Sequence, residues 1–420
     1  MINDSDLFEI LNDWNYWNKE PSELGVLREE YLSKVMPLLK TKEIIVIKGV
    51  RGSGKSTFLR QLIVHSKIDK RNFLYVNFDD YRLYGFLSLG LLEKIVDIYK
   101  EKINPKEKIY LILDEIQAID GWEKFLKTKY DLEENIKFIV SGSNSNLMSR
   151  EYSSLLTGRI ESIGFYPLSF REFLHFNEIE IGNADYFTLK SKKSILLNKL
   201  DHYLNEGGFP EPLKRDNKKS ILNEYFNNIM DKDIIIRNKI RDSKTIKQLA
   251  LHLMSNTTGP VNFTSLKDYF KISINTLKEH LSYLEEGNLV FLLYHFSFST
   301  KTQNLMVKKA YCIDNGLRNA VSFKFSKDIG KLAENAVFIE LKRRGKEIYY
   351  WKNKGEVDFV VKGRELTAIN VTYTDDIPER EINSLEEFTK AKRKIIITKS
   401  TYSKKGKIEL IPLWLWLLSG

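Results

Sequence analysis

The apolar residues of this chain gather into a few short unbroken runs, and between the runs they recur at helical spacing. EIIVIKGV (43–50) is dense in β-branched side chains and predicts a buried strand, and KSTFLRQLIVHS directly after it carries the spacing of a helix. KIYLILDEIQ (108–117) and KFIVSGSNSNL (137–147) predict two further buried strands, the first ending in two carboxylates and the second in small polar groups. Unbroken apolar strands alternating with helices predict an α/β domain whose parallel sheet is covered by helices on both faces.

The pattern changes after residue 200. Residues 201–240 have helical spacing around GGFPEP (207–212), whose glycines and prolines mark a sharp turn, and the region reads as a lid or connector. TIKQLALHLMSNT and FTSLKDYFKISINTLKEHLSYLEEGNLVFLLYHFS then predict a helix, a short helix, a turn at KIS and a helix opening at Ser273, with NLVFLLYHFS as a β-hairpin. That is the order of a winged helix. On DNA, Asn275, Thr276 and Lys278 would face the groove and Lys267 and Lys271 the phosphates. Glu279, Glu285 and Glu286 on the same helix are poor neighbours for phosphates, and a winged helix also serves as a protein contact. LIPLWLWLL (410–418) is too short to span a bilayer and reads as a buried or docking strand, so no membrane partner is expected.

Length and composition refine this picture. A chain of 420 residues exceeds one ordinary domain of about 100 to 200 residues. The expected division is a nucleotide domain over 1–200, a helical connector and winged helix over 201–300, and a basic α/β domain over 301–420. One cysteine, Cys312, excludes an intrachain disulfide and a multi-cysteine zinc site. With an acid- and amide-rich start in place of a signal peptide, the expected compartment is the cytosol. The net charge is +10, and from Lys301 onward 24 Lys and Arg face 15 Asp and Glu, which places +9 of it in the last segment. Such a skew suits a phosphate backbone, and a Lys-rich surface in an archaeon-like composition also serves solubility and heat tolerance.

The chemistry centres on GVRGSGKST, residues 49–57, between the first strand and its helix. Gly49, Gly52 and Gly54 let the backbone curl so that the amides of Gly49, Val50, Arg51, Gly52, Ser53, Gly54, Lys55, Ser56 and Thr57 surround phosphates at the positive end of the helix. Lys55 would reach the β and γ phosphates of ATP, and the Ser56 hydroxyl would ligate Mg²⁺. Asp114 would hold the same Mg²⁺ and Glu115 would orient the attacking water. At the end of the 137–147 run, Ser143 is the chosen polar sensor, with Ser141 and Asn144 as alternatives and helix capping as the competing role. Arg159 in LLTGR is the chosen cation for the transferring phosphoryl group, in cis or across a subunit boundary, ahead of Arg51 and Arg150.

WNYWNKEP, GVRGSGKST, LILDEIQ, VSGSN, LLTGRIESIGFYPLSFREFL, GGFPEP, KKAYCIDNGLRNA, LAENAVFIELKRRG and YYWKNKGEVDFVV together resemble a family of archaeal and bacterial AAA-type ATPases. In that family a winged helix and a restriction-endonuclease-like domain follow the nucleotide domain. The resemblance implies ATP hydrolysis and homo-oligomers. In the last domain Glu334 and Asp358, with Glu356 beside it, match the metal-binding positions of such a nuclease. The following strand, LTAINVTY, has Asn370 where a carboxylate belongs and Thr372 where a lysine belongs, which argues against cleavage. The leading expectation is an ATPase that engages duplex or branched DNA. A nucleotide-dependent switch acting on protein partners is the second, and an ATP-dependent nuclease the third.

Overall fold

The computed structural model describes residues 2–21, 24–103, 105, 107–143, 156–182, 184–322 and 328–419. The chain forms two compact units, residues 1–165 and 166–420.

In the first unit, β1 (Ile44–Lys48), β2 (Phe73–Asn77), β3 (Ile109–Asp114), β4 (Ile136–Gly142) and β5 (Ile160–Gly164) form a parallel sheet in the order β2-β3-β4-β1-β5. The helices are α1 (Asp4–Trp14), α2 (Glu29–Val35), α3 (Lys55–His65), α4 (Leu89–Ile103) and α5 (Trp122–Leu132). β1 to β4 are largely apolar on both faces because each face meets helices, whereas the edge strand β5 (IESIG) is only partly buried. Val76, Leu113, Phe138 and Val140 pack with Leu11, Ile95 and Leu126 of α1, α4 and α5, whereas Tyr75, Ile112 and Ile139 pack with Leu32 and Phe58 of α2 and α3. β2 is an edge strand, and side chains close its open edge. The Asn15 amide donates to Tyr75 O (2.9 Å) and accepts from Tyr75 N (2.8 Å), and the Trp17 indole donates to Phe73 O (2.7 Å). This gives the WNYWN segment its structural role.

The second unit opens with α6 (Phe170–Phe176), α7 (Lys193–Glu206) and α8 (Lys218–Asn228). Next come α9 (Ser243–Ser255), β6 (Pro260–Val261), α10 (Phe263–Phe270), α11 (Ile274–Glu286), β7 (Val290–Leu293) and β8 (Lys308–Cys312), with the strands ordered β6-β8-β7. Ser273 caps α11 as the sequence predicts, its hydroxyl accepting from Thr276 N at 3.0 Å. The expected hairpin within NLVFLLYHFS does not form: the segment gives one strand, β7, whose antiparallel partner is β8. Beyond Leu293 the backbone turns to another partner, with Phe296 N donating to Tyr350 O (2.6 Å) and Tyr350 N to Tyr294 O (3.0 Å).

After α12 (Asn315–Val321) and α13 (Ile329–Arg343), β9 (Glu347–Lys352), β10 (Glu356–Lys362), β11 (Thr367–Val371), β12 (Arg393–Thr398), β13 (Ser403–Lys405) and β14 (Ile408–Pro412) form a six-stranded mixed sheet ordered β13-β14-β12-β11-β10-β9. Helix α14 (Glu379–Glu387) lies between β11 and β12 in the chain. The LIPLWLWLL run is buried, but only its start is strand. Proline at 412 ends β14, and Leu413–Leu418 forms a last helix, α15. Proline has no N–H to extend a ladder and its fixed φ suits a helix start. Among the described residues no helix is long and apolar enough to cross a membrane.

Candidate functional site

The phosphate loop leaves the C-terminal end of β1 and runs into α3. Gly52 and Gly54 take left-handed φ values of 82° and 96°, and Gly54 caps the 11-residue α3, whose first residue is Lys55. At Gly49 the requirement is close approach: a Cβ there would lie 1.9 Å from the Phe165 carbonyl oxygen. The buried Ser53 hydroxyl has no hydrogen-bond partner among the described residues. Left-handed glycines, a helix N-terminus and an orphaned hydroxyl fit a loop shaped for a phosphate chain. Val50 is buried in this loop, while Ser56 and Thr57 are half-buried in the first turn of α3.

Lys55 is buried, with Nζ 2.9 Å from Gly49 O, 3.3 Å from Val50 O and 3.7 Å from Glu115 Oε1. Asp114 ends β3 with no exposed surface, and its carboxylate accepts from the Tyr75 hydroxyl at 2.7 Å and from the Ser141 hydroxyl. Glu115 follows in the left-handed region (φ 54°), receives the Gln117 amide, and its N–H points to Ser141 Oγ at 3.4 Å. Burial pushes the Glu115 carboxyl up and the Asp114 charge adds to this, against the pull of Lys55. The structure thus brings Lys55, Asp114 and Glu115 together at one end of the sheet. Because β4 lies between β1 and β3, it delivers Ser141 to the acidic pair.

Ser143 is buried just past the end of β4. Asn144 and Arg150 lie outside the described residues. Arg51 pairs with Asp79 at 3.2 Å. Arg159 precedes β5 at the opposite end of the strands: its carbonyl accepts from Ile44 N (2.7 Å) and its Nε lies 3.2 Å from Asp131 Oδ1. The length of β1, roughly 15 Å at about 3.3 Å per residue, separates it from the loop of its own chain.

Two residues of this site escape sequence reading. Tyr75 sits in FLYVN, where an aromatic in an apolar strand looks like core. Arg28 is buried with its guanidinium 4.4 Å from the Phe165 ring centroid, and it donates to Ser53 O at 3.2 Å. Only the loop's need for a donor on its outer side would have pointed to it.

A second polar cluster lies in the other unit. Glu334 comes from α13, and Glu356 and Asp358 come from β10. Lys309, from β8, reaches all three, with Nζ 2.6 Å from Glu356 Oε1, 3.4 Å from Glu334 Oε1 and 3.5 Å from Asp358 Oδ1. The Tyr311 hydroxyl donates to Glu334 at 2.7 Å. Burial together with Asp358 pushes the Glu334 carboxyl up to about 7. Asn370 is buried, its oxygen accepting from Asp358 N (3.2 Å) and its amide donating to Glu381 Oε2 and Ser384 Oγ, both at 2.9 Å. Thr372 N donates to Ile397 O (2.9 Å). Among the described residues, no group of three His, Cys, Asp or Glu side chains has the arrangement of a metal site.

A parallel sheet with a phosphate loop after β1 and a buried acidic pair after β3 defines the class as AAA-type P-loop ATPase, and residues 41–174 match the family model of an AAA domain. Residues 197–328 and 329–416 match two models, each described as a domain of unknown function. An uncharacterized protein of Methanocaldococcus jannaschii is 35% identical over 422 residues, covering 94% of this chain and 91% of that protein. An uncharacterized protein of Haemophilus influenzae is 32% identical over 415 residues, covering 94% of this chain and all of that protein. The chain belongs to the family of AAA-type proteins that these archaeal and bacterial relatives represent. Among solved structures, the Aeropyrum pernix ORC1 protein in complex with DNA aligns over 70% of this chain and 92% of its own, with 13% identity and a TM-score of 0.31. That likeness is too low to carry an argument.

Proposed function

We propose that this chain is a Mg²⁺-dependent ATPase, and the observation that carries the reading is the buried Asp114–Glu115 pair beside Lys55. Ser56 and Asp114 would hold Mg²⁺, which supplies charge neutralisation across the β and γ phosphates when bound with ATP. Lys55, now resting on two loop carbonyls, is the cation that binds phosphate. Glu115 orients the attacking water and takes its proton, Ser143 senses the γ-phosphate, and Arg159 serves a nucleotide held by a neighbouring copy in a homo-oligomer. Lys55→Ala is expected to abolish nucleotide binding. Glu115→Gln is expected to bind ATP with unchanged affinity while turnover falls at least 100-fold. Normal hydrolysis by Glu115→Gln would remove the assigned base.

The same reading divides the chain into the ATPase domain over 1–200, a connector and winged helix over 201–300, and a basic nuclease-like domain over 301–420, and it places DNA on the last two. Support comes from α11, where Asn275 and Lys278 are exposed. Two of the adverse glutamates there are engaged within the chain: Glu285 accepts from Leu292 N (2.9 Å) and Glu286 from the Ser282 hydroxyl (3.0 Å). Duplex and branched DNA should shift on a gel with an affinity that falls steeply with salt. No shift at low salt would favour the switch acting on protein partners.

A further inference from the structure

A restriction-type nuclease centre needs surplus negative charge and room for a hydrated divalent cation with oxygen ligands. In the cluster formed by Glu334, Glu356 and Asp358 the place of that cation is already taken. The ammonium group of Lys309 stands among the three carboxylates and within 3.5 Å of an oxygen of each. Further donors reach the same three carboxylates. Asp358 Oδ2 accepts from Val371 N (2.9 Å), Glu356 Oε2 faces Lys352 Nζ (3.0 Å), and Tyr311 donates to Glu334. Asn370, at the position of the missing carboxylate, spends its amide on Glu381 and Ser384. The residues present do not fit a metal ion.

We propose that Lys309 is the resident cation of this centre, and that the centre is a metal-free ionic latch fixing the β6-β8-β7 sheet to the six-stranded sheet. Lys309 is carried by β8, while its three partners belong to α13 and β10, so the latch ties two sheets together through side chains. The backbone bonds between Tyr294, Phe296 and Tyr350 tie the same two sheets a second time. The helix-turn-helix elements and the C-terminal sheet therefore behave as one rigid body. On the DNA-binding reading proposed above, the domain would hold its partner without cutting phosphodiester bonds.

The test uses the full chain without nucleotide and reads thermal unfolding with and without millimolar Mn²⁺. Wild type should show no Mn²⁺ effect. Lys309→Met, which leaves three carboxylates without their cation, should lower the midpoint by roughly 10 °C, and Mn²⁺ should restore part of the loss. Lys309→Arg should stay close to wild type and insensitive to Mn²⁺. A wild-type midpoint raised by Mn²⁺ and made indifferent by Asp358→Asn would overturn the proposal, as would a Lys309→Met protein as stable as wild type. Should Lys309→Met not fold, wild type compared with Asp358→Asn decides: Mn²⁺ binding by electron paramagnetic resonance, or plasmid nicking with Mn²⁺, either one lost in Asp358→Asn, overturns the latch. Absence of both supports it.

Discussion

Asp114 is held by two hydroxyls, one from each neighbouring strand: Tyr75 from β2 and Ser141 from β4. Burial and the adjoining carboxylate keep the Tyr75 phenol protonated far beyond neutral pH, so it remains a donor. Tyr75→Phe keeps the packed ring and removes one hydrogen bond to a charged group, a change of about 1.5 to 3 kcal/mol. Turnover is expected to fall about tenfold, with a higher Mg²⁺ requirement and a thermal midpoint lowered by several degrees. A Mg²⁺ titration of hydrolysis identical to wild type would show that Tyr75 only fills space. At this scale the positions of the loop, Asp114 and Glu115 were legible because an acidic pair that alone could cap a helix gains meaning when its strand follows a strand, glycine-rich turn and helix. Tyr75, Arg28 and Lys309 were not, because their partners lie far away in sequence and nothing in the local pattern separates a site tyrosine from a core one.

Among elements, the turn after α7 shows what glycine pairs do. Gly207 takes φ 77°, and a Cβ on it would meet Asp314 Oδ1 at 2.1 Å. Gly208 donates its N–H to Asp314 Oδ2 (2.7 Å) and accepts from Leu168 N (2.7 Å), and its own Cβ would meet Leu168 O at 2.4 Å. Gly208→Ala has only backbone to push against and is expected to destabilise the chain by about 2 to 4 kcal/mol, measured as a lowered urea midpoint. The sequence marks GGFPEP as a sharp turn, and the structure has one there. That the turn is stitched to residues 168 and 314 depends on pairings no local signal carries. The same applies to β7, whose partner is β8 and not the residues next to it.

For the whole molecule, Asp314 makes stability depend on pH in a direction opposite to most carboxylates. Burial pushes it up to about 6 from an ordinary 3.8, against the N–H groups of Gly208, Leu317 and Gly316. Between those two values the native chain holds a proton that the unfolded chain has released. Stability therefore falls as pH rises through that window and levels off above about 6. Asp314→Asn is expected to be less stable throughout, because an amide replaces one acceptor oxygen, and to lack this slope. Urea midpoints of both proteins at several pH values from 4 to 7 check it, and parallel curves would refute the assignment.

The closure of β2 by Asn15 and Trp17 bears on how this protein can be dissected. Residues 41–174 are the stretch that matches an AAA domain, and a fragment cut there would lose both side chains. The open row of N–H and C=O groups along Phe73–Asn77 would then be a template for strand addition between molecules. Such a fragment would tend to aggregate even with its phosphate loop intact, and the loss of activity would reflect an unprotected border.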